Sequence, residues 1–182
     1  MTLKDLIANY PDFPKKGILF RDMFPILKDP ESMDLMLEEL SKFSEELSPN
    51  YIVGIESRGF IIGTALAIKQ KIGFIPIRKK GKLPGNLVGV NYSLEYGEDR
   101  LEMQSDVFEK GAKVLLVDDL LATGGTVKAS SELIEKVGGI LIGCAFLIEL
   151  KGINGRANLP NVPIKSLISY EWIDRFFKIT WA

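Results

Sequence analysis

The chain has 182 residues, 46% of them hydrophobic, enough to build one full core and too few for a second large one. Its 23 Lys and Arg nearly balance 24 Asp and Glu, so bulk charge gives no reason to expect nucleic acid or another polyanion as partner. One cysteine, Cys144, and no histidine exclude a disulfide framework, a zinc site and any histidine-based triad.

The first residues carry Asp5 and lack an apolar signal core, and no uncharged apolar run approaches the roughly 18 residues that a membrane helix needs. A cytoplasmic protein with no membrane partner is expected. Leu3, Leu6, Ile7 and Tyr10 stand at helical spacing, which predicts a helix over residues 2–10, ended by Pro11. Residues 11–22, PDFPKKGILFRD, follow as a proline-punctuated arm whose β-prone Ile18-Leu19-Phe20 reads, on its own residues, as a β-bridge over the core. Asp29-Pro30-Glu31 starts a helix, with Asp as N-cap and Pro at the first helical position. Met33, Met36, Leu37, Leu40, Phe43 and Leu47 line its core face.

A buried strand at 51–55 comes next, and Glu56-Ser57-Arg58-Gly59 turns from it into a helix packing Phe60, Ile61, Ala65, Leu66 and Ile68. Phe60 stands where a nucleotide P-loop needs Lys, so a kinase or ATPase reading fails. What remains is a strand-end loop with an arginine at a helix N-terminus, suited to an anion. A third strand at 73–77 runs into Arg78-Lys79-Lys80-Gly81-Lys82, which alone reads as a solvated basic patch or, at a stretch, a nucleic-acid contact. Residues 83–103 set β-prone Val88, Val90, Tyr92 and Leu94 between polar or glycine positions. They read as a long flexible hairpin, a length of exposed chain that makes sense as a lid.

Residues 114–126, VLLVDDLLATGGT, organise the rest. Val114 to Val117 form a short buried strand, two adjacent carboxylates follow, and the turn Ala122, Thr123, Gly124, Gly125, Thr126 opens a helix. Ligands of open parallel α/β sheets lie at the carboxyl ends of the strands, and a helix start offers unpaired N–H groups to an anion. Adjacent aspartates repel and need hydroxyl donors or a divalent cation. A sugar phosphate answers both features, with its phosphate in the turn and its ring hydroxyls on Asp118 and Asp119. The helix carries Val127, Ile134 and Val137 and stops at Gly138-Gly139. A buried strand at 140–148, with Cys144 as a core thiol, closes on Glu149-Leu150, where Leu150 reads equally well as plain core. A Gly/Asn/Pro-rich loop at 151–163 and a last strand near 164–168 follow, and the aromatic tail at 171–182 is a capping or interface segment.

Four of these motifs, in this order, resemble those of the type I phosphoribosyltransferases, over about residues 10–171. The VDDLLATGGT run is similar to that family's signature for phosphoribosyl pyrophosphate (PRPP), and its LLATGGT form to that of the adenine-specific members. The resemblance implies an α/β fold in one domain, 1–182. It has a mostly parallel central sheet flanked by helices, a small hood at about 10–27 and a flexible β-hairpin at about 83–103. It also implies roles residue by residue. Asp118 and Asp119 take the ribose, and Ala122, Thr123, Gly124, Gly125 and Thr126 the 5′-phosphate. Ser57, Arg58, Arg78 and Lys82 take the pyrophosphate. Leu19 and Arg21 contact adenine through the main chain, with Phe20 and Leu150 on its two faces. Glu95, in SLEYG, is the acid/base candidate, and Tyr96 its neighbour in the lid. Lys16 stands where the family usually has Pro before Gly17.

The implied reaction joins adenine and PRPP into AMP and pyrophosphate, with Mg²⁺ held mainly through PRPP rather than by direct protein ligands. A homodimer, across which Arg78 can be lent, is implied as well. A 6-oxopurine transferase and a PRPP-sensing regulator are the alternatives. The Phe20-Arg21 segment and the paired Leu of the signature favour adenine, and the hairpin with Glu95 favours an enzyme.

Overall fold

A computed structural model of the chain describes residues 2–94 and 97–171. Its elements in order are β1 (Ala8–Pro11), β2 (Leu19–Asp22), α1 (Phe24–Lys28), α2 (Pro30–Leu47), β3 (Tyr51–Ile55), α3 (Arg58–Gln70), β4 (Gly73–Lys79), β5 (Leu87–Leu94), β6 (Gly97–Gln104), β7 (Lys113–Leu121), α4 (Gly125–Lys136), β8 (Ile140–Leu150) and β9 (Ile164–Tyr170). Seven strands make one sheet in the order β5-β6-β4-β3-β7-β8-β9, and β1 and β2 make a separate antiparallel pair. From β4 through β9 the neighbours run parallel, while β5 and β6 add an antiparallel hairpin at the β4 edge.

The central strands are buried on both faces, which is why they read as continuous apolar runs. Side chains alternate between faces along a strand, so β7 sends Leu115 and Val117 into one core and Val114 and Leu116 into the other. The first core takes Met36, Leu37 and Leu40 of α2 with Ile62 and Leu66 of α3; the second takes Val127, Leu133 and Ile134 of α4. Helix α2 begins as expected, with the Asp29 carboxylate accepting from the Ser32 N–H at 3.0 Å and Pro30 in the first turn. Cys144 is fully buried, and burial pushes its thiol up to about 12, so it is core. No helix among the described residues is long and apolar enough to cross a membrane.

The expected helix over 2–10 is replaced by one 3-10 turn, Leu3–Leu6, followed by β1. Strand pairing outweighs the helical spacing there: Ala8 to Pro11 pair with Asp22 to Leu19, and Asn9 Oδ1 accepts from Arg21 Nη1 at 2.8 Å. Strand β7 runs on through both aspartates to Leu121, because the eleven-residue β8 continues beside it as a partner. The loop at 151–163 contains two 3-10 turns, Lys151–Ile153 and Gly155–Asn158. Most of the aromatic tail lies outside the described residues.

At the end of β8 the Glu149 carboxylate, 3% exposed, takes both arms of the Arg156 guanidinium at 2.6 Å each. Those hydrogen bonds hold Glu149 below its ordinary value of 4.5. A carboxylate with a lowered folded pKa adds stability above its unfolded pKa, and that contribution disappears as pH falls through the folded one. Glu149→Gln is therefore expected to lose about 1–3 kcal/mol at neutral pH, towards the lower figure because Arg156 is half exposed. Urea denaturation from pH 7 downwards should show the difference from the native chain closing on acidification below about 4.5.

Candidate active site

The register of the parallel strands sets the site. Ile55 lies opposite Ile77, so the next residues, Glu56 and Arg78, emerge side by side. Arg78 donates from Nη2 to Glu56 Oε1 at 2.7 Å and from Nε to Oε2 at 3.2 Å, while its Nη1 reaches the Lys82 carbonyl at 2.9 Å. The Lys79 N–H also donates to Glu56, at 3.2 Å. Hydrogen bonding from Arg78 lowers the Glu56 pKa. Ser57, exposed, stands at the N-cap position of α3 with no capping hydrogen bond from its side chain. Arg58, its first residue, donates from Nε to Asp119 Oδ2 at 2.5 Å. The sequence-predicted pyrophosphate arginine and ribose carboxylate thus meet directly.

On the other side of that contact, Asp118 is half-buried and Asp119 is 9% exposed. Asp118 Oδ1 accepts from the Asp119 N–H at 2.9 Å. Burial, and then the adjoining Asp119 charge, push the Asp118 pKa well above the usual carboxylate range. The turn from Ala122 to Thr126 lies just beyond, with Gly124 at φ +81° before α4 opens at Gly125. Helix α4 therefore presents the unpaired N–H groups of its first turn at the end of β7.

The hairpin and the basic segment are bound to one another. Gly81 N–H donates to the buried Glu102 at 2.9 Å, Lys79 Nζ lies 3.5 Å from Asp99, and Lys80 N–H donates to the Arg100 carbonyl at 3.0 Å. Lys82 is exposed. Tyr92 donates its hydroxyl to Asp99 at 3.2 Å, and burial together with the Asp99 charge raises its pKa to about 12. It stays protonated at any working pH. Glu95 and Tyr96 lie outside the described residues.

In the hood, Leu19, Phe20 and Arg21 are the half-buried core of β2. The Phe20 ring meets Phe13 edge-on at 5.2 Å and lies 5.7 Å from the Arg58 guanidinium, which brings the hood to the strand-end loops. The Arg21 guanidinium lies 3.5 Å from the centre of the Tyr170 ring. Leu150 is 5% exposed, within the core, and pairs in register with Tyr170.

These features set the comparison with known proteins. A model of the phosphoribosyl transferase domain family matches residues 26–178. A curated adenine phosphoribosyltransferase of Prochlorococcus marinus (strain MIT 9313) is 59% identical over 171 residues, covering 93% of this chain and 99% of the relative. The chain belongs to the adenine phosphoribosyltransferase family. Among solved structures, the adenine phosphoribosyltransferase of Thermoanaerobacter pseudethanolicus superposes with a TM-score of 0.89 at 45% identity, covering 92% of this chain and 98% of that one. The Saccharomyces cerevisiae enzyme, solved with an iminoaltritol bisphosphate and adenine, gives 0.85 at 40% identity, over 91% and 96% of the two chains.

Within this phosphoribosyltransferase, Glu56 is a site residue that sequence reasoning left without a role. Aligning two parallel strands could have found it, since Glu56 and Arg78 each follow one member of the paired Ile55 and Ile77. Tyr92 and Asp99 had no such signal. The closeness of α3 to β7 rests on Gly59: a Cβ there would lie 2.9 Å from Asp118 Oδ1 and 2.9 Å from the Val117 carbonyl. Gly59→Ala is expected to destabilise by about 1–3 kcal/mol through overpacking. A urea midpoint equal to that of the native chain would contradict this close approach.

Proposed function

We infer that this chain transfers the phosphoribosyl group of PRPP to adenine, giving AMP and pyrophosphate in purine salvage. The observation that carries the reading is the meeting of two anion-suited strand-end loops through Arg58 and Asp119, in a chain of this family. In this reading residues 122–126 hold the 5′-phosphate, Asp118 and Asp119 the ribose hydroxyls, and Ser57, Arg58, Arg78 and Lys82 the pyrophosphate. Main-chain groups of Leu19 and Arg21 read the adenine edge, with Phe20 and Leu150 towards its faces. A family member that holds adenine together with a bisphosphate supports a base site beside two anion sites.

Displacing pyrophosphate from the anomeric carbon builds positive charge on the ribose ring and negative charge on the leaving group. Arg58 and Arg78 are held beside the site by carboxylates of this chain, and they supply the cations that meet the developing charge once the ligand draws them from those partners. Asp118 and Asp119 lie under the sugar. Burial that favours the neutral form of Asp118 eases the repulsion between them. Glu95 manages the proton on the base, and the hairpin with Tyr96 excludes water from the cationic sugar.

Mg²⁺ fits the donor set in one way. Among the described residues no cluster of three or more His, Cys, Asp or Glu could hold a metal ion. The carboxylate oxygens of Asp118 and Asp119 are donors of the kind Mg²⁺ takes, and in this reading the cation is held mainly by PRPP oxygens; when bound it would neutralise charge on the leaving pyrophosphate. We also propose a homodimer, on the family resemblance, and a cytoplasmic location, on the charged soluble substrates.

Initial rates of nucleotide formation from PRPP and Mg²⁺ with adenine, hypoxanthine and guanine in parallel test the reading. Adenine alone should react, because a site that pairs with a 6-amino group leaves polar atoms unpaired against a 6-oxo group, a mismatch worth up to about 10⁴–10⁵-fold. Preference for a 6-oxopurine would overturn the base assignment. Glu95→Gln should lower kcat by about 10²-fold or more with PRPP affinity nearly unchanged. Weaker PRPP binding at native turnover would remove Glu95 from proton transfer.

A further inference from the structure

Outside the site just described, a tightly built cluster packs against the turn at 122–126. The short turn Gly155–Asn158 touches it at three points. Asn158 donates from Nδ2 to the Thr123 carbonyl at 2.8 Å. Gly155 meets Ala122 so closely that a Cβ on it would lie 1.9 Å from the Ala122 carbonyl oxygen. Conversely, a Cβ on Gly124 would lie 2.4 Å from the Gly155 carbonyl oxygen. Two backbones are therefore in contact with no side chain between them. A further tie is indirect. Arg156, in the middle of the turn, is forked onto the buried Glu149 at the end of β8, which ties the turn to the sheet.

Peptide geometry gives this contact a consequence for ligand binding. In a trans peptide the carbonyl and the following N–H point in opposite directions. Holding the Thr123 carbonyl onto Asn158 therefore fixes the plane of the Gly124 N–H, whose nitrogen lies 3.3 Å from the position a Cβ on Gly155 would take. The Ala122 carbonyl, facing Gly155, does the same for the Thr123 N–H. These are N–H groups that an anion at the start of α4 would meet.

We propose that Gly155–Asn158 is a positioning element for the phosphate loop: Asn158 fixes its peptide planes, and Arg156, through Glu149, holds the turn that carries Asn158. None of these residues touches substrate. The proposal rests on the reading of residues 122–126 as the 5′-phosphate site, and it selects among ligands. Losing the support weakens ligands that carry a 5′-phosphate and spares one that carries pyrophosphate alone.

Asn158→Leu is the direct test, because Asn158 is exposed and the change removes the donor without opening the core. Titration calorimetry with AMP and, separately, with pyrophosphate and Mg²⁺ should show AMP affinity falling about 3–10-fold, the effect of one lost hydrogen bond. Pyrophosphate affinity should stay within about twofold, and so should kcat at saturating PRPP. Arg156→Lys keeps a cation for Glu149 but loses the fork, and should likewise raise the PRPP KM with kcat retained. Equal losses for AMP and pyrophosphate, or an unchanged AMP affinity, would overturn the positioning role. Failure of the native chain to bind AMP would instead overturn the 5′-phosphate reading on which it rests.

Discussion

The parallel register of β3, β4 and β7 is the constraint on which the site depends. It puts Ile55 beside Ile77 and Gly54 beside Val117, so the residues that follow converge at the carboxyl ends of the strands. Every polar group there is thus placed by strands whose side chains are locked in two apolar cores. Helix α3 completes the arrangement by leaning onto β7 at Gly59, whose missing side chain leaves room for Asp118 and the Val117 carbonyl. The cost is a pair of neighbouring carboxylates in a poorly solvated place. It is met in two ways, by Arg58 on Asp119 and by a raised pKa on Asp118.

A second unit joins this frame at its edge. The β5–β6 hairpin pairs with β4 at Arg78 and Lys79 and buries Val90, Leu101 and Met103 in the second core, and its polar side chains reach across to the basic segment. Glu102, Asp99 and the Arg100 carbonyl each engage a different residue between Lys79 and Gly81. The cationic segment and the hairpin stem therefore act as one body, and anything that moves the hairpin moves those backbone positions too. Tyr92, neutral and hydrogen-bonded within that stem, is a fixed donor rather than a titrating group.

Much of this was legible in the chain itself. Continuous apolar runs announced the buried parallel strands, Asp29-Pro30 announced α2, and the VDDLLATGGT run marked the strand, the turn and the helix in their true order. The start of the chain was misread because four apolar residues at helical spacing are compatible with a single 3-10 turn followed by a strand, and only the pairing with β2 decides between them. The extent of β7 was misread for a similar reason: carboxylates look like the end of a strand until a longer neighbour supplies hydrogen bonds beyond them. Partnerships across the chain, such as Glu56 with Arg78 or Asn158 with Thr123, depend on register and loop path, which residue patterns do not encode.

The two arginine–carboxylate pairs of the site also act as a filter by valence. Arg58 and Arg78 are each already satisfied by a carboxylate of this chain, at 2.5 Å and 2.7 Å. A small anion such as inorganic phosphate, abundant in any cell, has to break such a pair and returns about one charge-assisted interaction for the one it destroys. A ligand with anionic groups at both ends engages several donors at once, and after its first contact the rest form at a high effective concentration. Discrimination against crowding metabolites is then built into the resting charge pattern, before any shape is read.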